Sequence, residues 1–241
     1  MKIFIGVPTA EFARHAAFYD YLELLLKPEG TMSAGFHLNS AAWNRNLIIK
    51  EALYYKCSHV LFIDDDMAFP PDALNRLLAH DLDMVGALYF NRCFPMAPLL
   101  YDDNPEDPTR PVVRYLADGD KGVVETAATG FGFLLVKTEV FMNMAQPWVR
   151  LGEIIEDRRN EDIGFFNRAR ALGYKLHVDL ETVVGHIGTV VFWPNRMQGK
   201  WYTAIDTHGV EMINYPQLTK EEVNEQVQRT SREDEVLSRA G

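Results

Sequence analysis

The chain has 241 residues, 47% of them apolar and 24% charged, with a formal net charge of −10. That length and balance suit one core and exclude disorder over most of the chain. The charge argues against a surface built to hold nucleic acid, where affinity comes from many Lys and Arg contacts to phosphate.

Only Cys57 and Cys93 occur, with neither metal-ligand spacing nor a disulfide framework, which fits a reducing cytoplasm. No apolar run approaches the roughly 20 residues of a membrane span. The first residues are interrupted too soon for a signal peptide, so a cytoplasmic protein is expected.

Residues 3–7 read as a buried first strand ended by Pro8 and Thr9. Phe12, Ala16, Tyr19, Leu22 and Leu26 predict a helix over about 11–26. A short second strand is expected at 36–39. Ser40 is then placed to cap a helix with Trp43, Leu47, Ala52 and Tyr55 on its inner face. Residues 60–63 form an apolar strand buried on both faces. The pair Pro70-Pro71 starts a short helix over 72–80, and 84–90 is the next strand. This alternation predicts an α/β fold: a mostly parallel sheet flanked by helices, with the ends of the first and third strands on one edge.

The character changes after 90. Pro95, Pro98, Pro105 and Pro108 mark 91–110 as a loop or a small antiparallel edge element. Strands are expected at 112–116 and 122–125, a Gly-rich crossing of the sheet at 127–136, and a helix at 137–144. Asn160 caps a helix over 161–172 stopped by Gly173, with a strand at 174–178 beyond. Residues 195–202 mix cations, Gly199 and aromatics, and read as a closing loop or a plain surface loop. One domain is expected over 1–218. The remainder, 219–241, is polar nearly all round, an exposed helix or a frayed tail.

The most informative stretch follows the third strand, where Asp64, Asp65 and Asp66 stand side by side. Three adjacent carboxylates at a buried strand end repel one another and lose hydration, so they call for a cation. Mg²⁺ and Mn²⁺ take carboxylate oxygens, usually with substrate phosphates and water. Strand alternation would aim Asp64 and Asp66 one way and Asp65 the other. The alternative is a solvated acidic turn.

Four elements now stand in order: Pro8-Thr9 after the first strand, Asp64 to Asp66, Thr129-Gly130-Phe131-Gly132, and Glu161-Asp162 with Gly185-His186 downstream. Together, over residues 3–188, they resemble the GT-A fold glycosyltransferases, closest to family 2-like members with an Asp-x-Asp motif. The resemblance implies a Rossmann-like nucleotide-binding sheet and transfer of a sugar from a nucleotide diphosphate donor to an acceptor hydroxyl that it does not identify. It implies Mn²⁺ or Mg²⁺ held by Asp64, Asp66 and His186, and a donor held by Pro8, Thr9, Arg45, Asp64 and Asp65. Asp162 is implied as the base that takes the acceptor proton, with inversion at the anomeric carbon. A uridine donor is implied as the family's commonest. The family's Tyr-Asn pair after the first strand is here Ala10-Glu11, a departure that bears on the nucleotide base.

Each assignment has a plainer counterpart. Asp162 in a helix's first turn is what any helix prefers. His186 between Gly185 and Gly188 is either a ligand or a satisfied core histidine, and Arg45 a donor contact or a surface helix residue. Arg158, Arg159, Arg168 and Arg170 pair with the nearby acids or face water. Three rival functions are a nucleotidyltransferase, a non-catalytic nucleotide-sugar-binding protein, and a transferase acting on modified DNA bases. The first would want a Gly-rich loop where residues 7–11 have no glycine. The third is disfavoured by the charge.

Overall fold

Strand β1 (Ile3–Pro8) shows how the core is divided, because Phe4 joins the apolar cluster on one face of the sheet and Ile3, Ile5 and Val7 the cluster on the other. The computed structural model describes residues 1–9, 16–37, 40–92, 96–151, 161–188, 191–206, 212–216 and 219–220, with the backbone alone for 205–206 and 212–216. The elements after β1 are α1 (Ala16–Leu24), β2 (Met32–Phe36), α2 (Ala41–Tyr54), β3 (His59–Ile63), β4 (Met67–Ala68), α3 (Ala73–Ala79) and β5 (Met84–Leu88). Then come β6 (Leu100–Asp102), β7 (Val112–Val113), β8 (Val123–Glu125), β9 (Ala128–Thr129), β10 (Phe133–Lys137), α4 (Thr138–Met142) and α5 (Glu161–Ala171). Strands β11 (Leu176–Val183), β12 (Gly185–Ile187), β13 (Val191–Met197), β14 (Lys200–Asp206) and β15 (Met212–Pro216) follow.

The central sheet has seven strands in the order β2-β1-β3-β10-β5-β11-β8. Strands β2, β1, β3, β5 and β11 run one way, and β10 and β8 the other. This is the expected mostly parallel α/β sheet with helices on both faces. Val60, Phe62, Leu134 and Val136 pack with residues of α2, α4 and α5, whereas Leu61, Ile63, Phe133 and Leu135 pack with α1 and α3. The antiparallel part is larger than expected: a five-stranded sheet, β15-β14-β13-β12-β4, and a three-stranded one, β7-β6-β9. Among the described residues no helix is long and apolar enough to cross a membrane.

Several local expectations shift. The second strand is Met32–Phe36, before rather than after Phe36, with half-buried and exposed residues alternating as on an edge. The inner face of α2 is Ala42, Arg45, Ile48, Ile49 and Ala52, while Trp43 is 61% exposed and Tyr55 lies outward. The Ser40 cap stands, its Oγ accepting the Trp43 N–H at 3.2 Å. A β-carbon at Gly6 would collide with the Ile48 side chain, so β1 and α2 meet at a distance that only glycine permits. Residues 195–202 are a β-hairpin rather than a closing loop. Its turn residues Gln198 and Gly199 both have positive φ, +51° and +82°, the two-residue turn that suits strand twist. Helix α5 ends as expected at Gly173, φ +92°, with Tyr174 N–H donating to Ala169 and Gly173 N–H to Arg170. The expected cap Asn160, Arg158, Arg159, Cys93, residues 10–15 and most of 219–241 lie outside the described residues.

Candidate active site

Strand β3 ends at Ile63, and the three aspartates that follow form a turn rather than extending it. The Asp64 N–H donates to the Gly132 carbonyl at 3.0 Å and the Met67 N–H to the Asp64 carbonyl at 3.2 Å. Strand alternation thus does not set the directions of these three side chains, although Asp64 does lie close enough to Asp66 and His186 to interact with both. Asp64 and Asp66 each meet a different arginine, and half-buried Asp65 lies between them.

Asp64 meets Arg45. That side chain is 5% exposed, and its Nη2 lies 3.1 and 3.2 Å from the two carboxylate oxygens. Its Nη1 lies 2.9 Å from Glu161 Oε1 and 3.2 Å from Asp162 Oδ1, and the guanidinium sits 4.5 Å above the Phe131 ring. Arg45 is thus a buried residue rather than a surface one, and it ties the acidic turn to the start of α5. Arg168 and Arg170, the sequence's candidates for pairing with Glu161 and Asp162, go elsewhere, to the Trp148 carbonyl and to Asp103.

One guanidinium cannot neutralise three carboxylates, and the proton balance shows it. Burial alone would lower the Arg45 pKa, but Asp64, Asp162 and Glu161 outweigh it and keep the cation protonated. Asp162 is pushed up to about 7, first by burial, against the pull of Arg45 and with further push from Glu161 and Asp64. The Phe131 backbone N–H also bonds it. Asp64 is raised as well, burial again leading. A carboxyl raised to about 7 at a helix start runs against the lowering that the helix N-terminus alone would give, and burial is the larger cause.

Asp66 has partners of its own. Its Oδ2 accepts from Arg92 Nη2 at 2.9 Å and lies 3.5 Å from His186 Nε2. The imidazole is oriented by its other nitrogen, since Nδ1 is 3.0 Å from the Phe90 carbonyl and must donate to it. Nε2 is therefore the nitrogen turned toward Asp66, the one through which this imidazole would bind a metal. Strand β12 sets this position by pairing His186 with Met67 of β4, just past the acidic turn. Gly185 has a packing reason rather than a ligand-approach one, because a β-carbon there would lie 2.8 Å from Val191 and 3.0 Å from Trp193.

A divalent ion at the Asp66–His186 pair would find one carboxylate and one imidazole. Among the described residues no three acid, His or Cys side chains converge into a ready-made metal cluster, and both oxygens of Asp64 are engaged by Arg45. The remaining ligands of such an ion would have to come from substrate and water.

Pro8 and Thr9 are buried at the end of β1, where the Thr9 N–H donates to Phe36 and the Thr9 carbonyl accepts from the Asn44 amide at 2.9 Å. Their backbone frames the edge on which the acids stand. The floor is the 129–132 segment, which enters β10 from this edge because β10 runs against its neighbours. Tyr89 holds it, its hydroxyl accepting the Gly132 N–H at 2.9 Å. A β-carbon at Gly130 or Gly132 would overlap that hydroxyl, which explains the glycine pair. Burial first, then the charges of Asp64 and Asp162, keep this phenol well above its ordinary pKa, so it stays neutral. Sequence reasoning missed Tyr89 and Arg92. The first lies just past an apolar strand and the second opens a proline-rich loop, so nothing local marks either.

No family model and no curated protein sequence matches the chain. Solved structures do. The A197 protein from STIV is 14% identical with a TM-score of 0.57, over 89% of this chain and 94% of that one. A 4-diphosphocytidyl-2C-methyl-D-erythritol synthase is 12% identical with a TM-score of 0.37, over 74% and 88%. The nucleoside-diphosphate-sugar pyrophosphorylase from Vibrio cholerae RC9 is 14% identical with a TM-score of 0.32, over 63% and 62%. At such identities the likeness is one of fold, and the A197 protein alone among these three has a score high enough to carry it.

Proposed function

We propose that this protein is a metal-dependent glycosyltransferase that moves a sugar from a nucleoside diphosphate donor, a uridine nucleotide first, to an acceptor hydroxyl with inversion. The observation that carries this reading is the pairing, on one sheet edge, of a carboxyl with a pKa of about 7, Asp162, with the Asp66–His186 pair. The first suits removal of a hydroxyl proton and the second suits a cation beside a diphosphate. Asp162 accepts the acceptor's proton as the acceptor oxygen bonds to the anomeric carbon. The bond from that carbon to the diphosphate oxygen breaks, and its electron pair leaves with the nucleoside diphosphate. Asp66 and His186, with Asp64 beside them, would hold Mn²⁺ or Mg²⁺, which would supply positive charge for the departing diphosphate. Arg45 keeps Asp64, Glu161 and Asp162 in one cluster and holds the base in place.

The test is a panel of nucleotide sugars scored for Mn²⁺-dependent thermal stabilisation, then for turnover, since a ligand that binds only the folded state raises its apparent stability. A uridine diphosphate sugar should stabilise the wild type and leave Asp66→Ala unmoved. Pyrophosphate release from a nucleoside triphosphate and a sugar phosphate, with no response to any nucleotide sugar, would instead identify nucleotidyl transfer.

A further inference from the structure

The two arginines of the site hold their aspartates in unlike ways. Arg45 is 5% exposed and bound to three carboxylates, so moving it would strand buried charge. The Arg92 side chain is 38% exposed and bound to one carboxylate, Asp66, and to the Ile187 carbonyl at 2.6 Å. The oxygen Arg92 takes from Asp66 is Oδ2, the same atom that lies 3.5 Å from His186 Nε2. An ion that bridges this oxygen and His186 would therefore share it with Arg92. Two positive groups on one carboxylate oxygen repel, and the exposed, singly paired one is the one that yields.

Building on the glycosyltransferase reading, we propose that Arg92 is the resident counter-cation of Asp66 and that, once a divalent ion displaces it, it binds the donor's diphosphate. Its backbone cannot travel far. The Asn91 N–H donates to the Ala97 carbonyl at 2.9 Å and the Ala97 N–H to Asn91 Oδ1 at 3.1 Å, which pins the loop base. Only the side chain moves, and a guanidinium released beside the ion meets the phosphate oxygens that complete the ion's shell, where its planar fork can bond two of them at once. The same residue opposes the metal when the donor is absent and supports the diphosphate when it is present.

The experiment measures Mn²⁺ alone, by the resonance signal of the free ion, and uridine diphosphate at saturating Mn²⁺, by calorimetry. Wild type, Arg92→Ala and Arg92→Lys are compared, with melting temperatures near wild type confirming the fold. Arg92→Ala should bind Mn²⁺ alone more tightly, about 3-fold or more, because its competitor is gone, and uridine diphosphate about 10-fold or more weakly. Arg92→Lys, which keeps a point charge, should recover part of the nucleotide affinity. Mn²⁺ and nucleotide weakening together would make Arg92 a brace of the site and overturn the proposal, as would no change in either. A wild type that takes Mn²⁺ but no uridine diphosphate overturns the donor reading instead, and inorganic diphosphate then serves for the same comparison.

Discussion

Arg45 reaches from the second helix to both carboxylate oxygens of Asp64, at 3.1 and 3.2 Å, and this contact fixes the acidic turn against the helix. Replacing Arg45 with Met should destabilise the protein by about 3–5 kcal/mol at pH 7, the scale for leaving buried charge uncompensated. The deficit should shrink as pH falls, because protonated carboxyls need no cation. Arg45→Lys should recover less than half, since one ammonium cannot span both groups that the guanidinium fork bridges. Urea denaturation of the three proteins at pH 7 and pH 5 checks all of this.

For Asp162, turnover with a cognate donor and acceptor should rise with pH through about 7 and then level off, as the base loses its proton. Asp162→Asn should keep donor binding and lower turnover by at least ~10²-fold. The stability effect has the opposite sign. A carboxyl raised in the folded state binds its proton more tightly there than in the unfolded chain, so its contribution falls as pH rises from about 4 through about 7. At pH 8 Asp162→Asn should therefore melt no lower than wild type. Normal turnover in Asp162→Asn would make the residue a helix cap.

Asp179 is buried where the pairing of β11 with β5 shifts register, between Asp179 and Val183. Burial alone would raise its pKa, but the Thr182 hydroxyl at 2.6 Å, His80 at 3.0 Å and the Glu181 N–H at 2.9 Å together hold it below the ordinary value. The stability this gives is present above about pH 4 and is lost as pH falls through the depressed folded pKa. Thr182→Val should cost about 1.5–3 kcal/mol at pH 7, the range for a hydrogen bond to a charged group, and less at pH 3. Equal losses at the two pH values would show that the Thr182 hydrogen bond is insensitive to the protonation of Asp179 over that range.

Gly130→Ala should cost about 1–3 kcal/mol, the range for an overpacked core position, because its new methyl meets the Tyr89 hydroxyl. Tyr89→Phe removes that oxygen and should return part of the loss, so a double-mutant cycle should give a coupling clearly different from zero. Additive losses would place the clash elsewhere, on Leu99.

Much of the fold was legible because its signals are local. The apolar run before Asp64, the Ser40 cap and the Gly173 stop each encode an element boundary within a few residues, and all three stand. Edge features were not. Nothing in residues 195–202 distinguishes a loop from a hairpin until the pairing of β13 with β14 is known. At the site, the residue types pointed to Asp64, Asp66, Asp162 and His186, but not to the way arginines divide them. Arg45 looks like any helix cation in sequence, and its partners Glu161 and Asp162 are brought to it only by tertiary packing. Arg158 and Arg159 were nearer in the chain and therefore the more natural guess. The inner face of α2 was misjudged for the same reason, since a buried Arg breaks the apolar periodicity from which such faces are read.

The separation of Arg45 from Glu161, 116 residues, bears on how the chain acquires its structure. Asp64 follows Arg45 by only 19 residues, so a growing chain can make that contact early, whereas the carboxylates of α5 come in the last third. Until then the second helix can seat Ile48 and Ile49 only by burying its guanidinium with part of its complement. Closing so long a loop is slow, because its entropy must be overcome before the contact compensates for it. The final docking of α2 is therefore tied to the arrival of α5, and a chain cut before Glu161 would keep the first strands of the sheet but leave this helix poorly anchored.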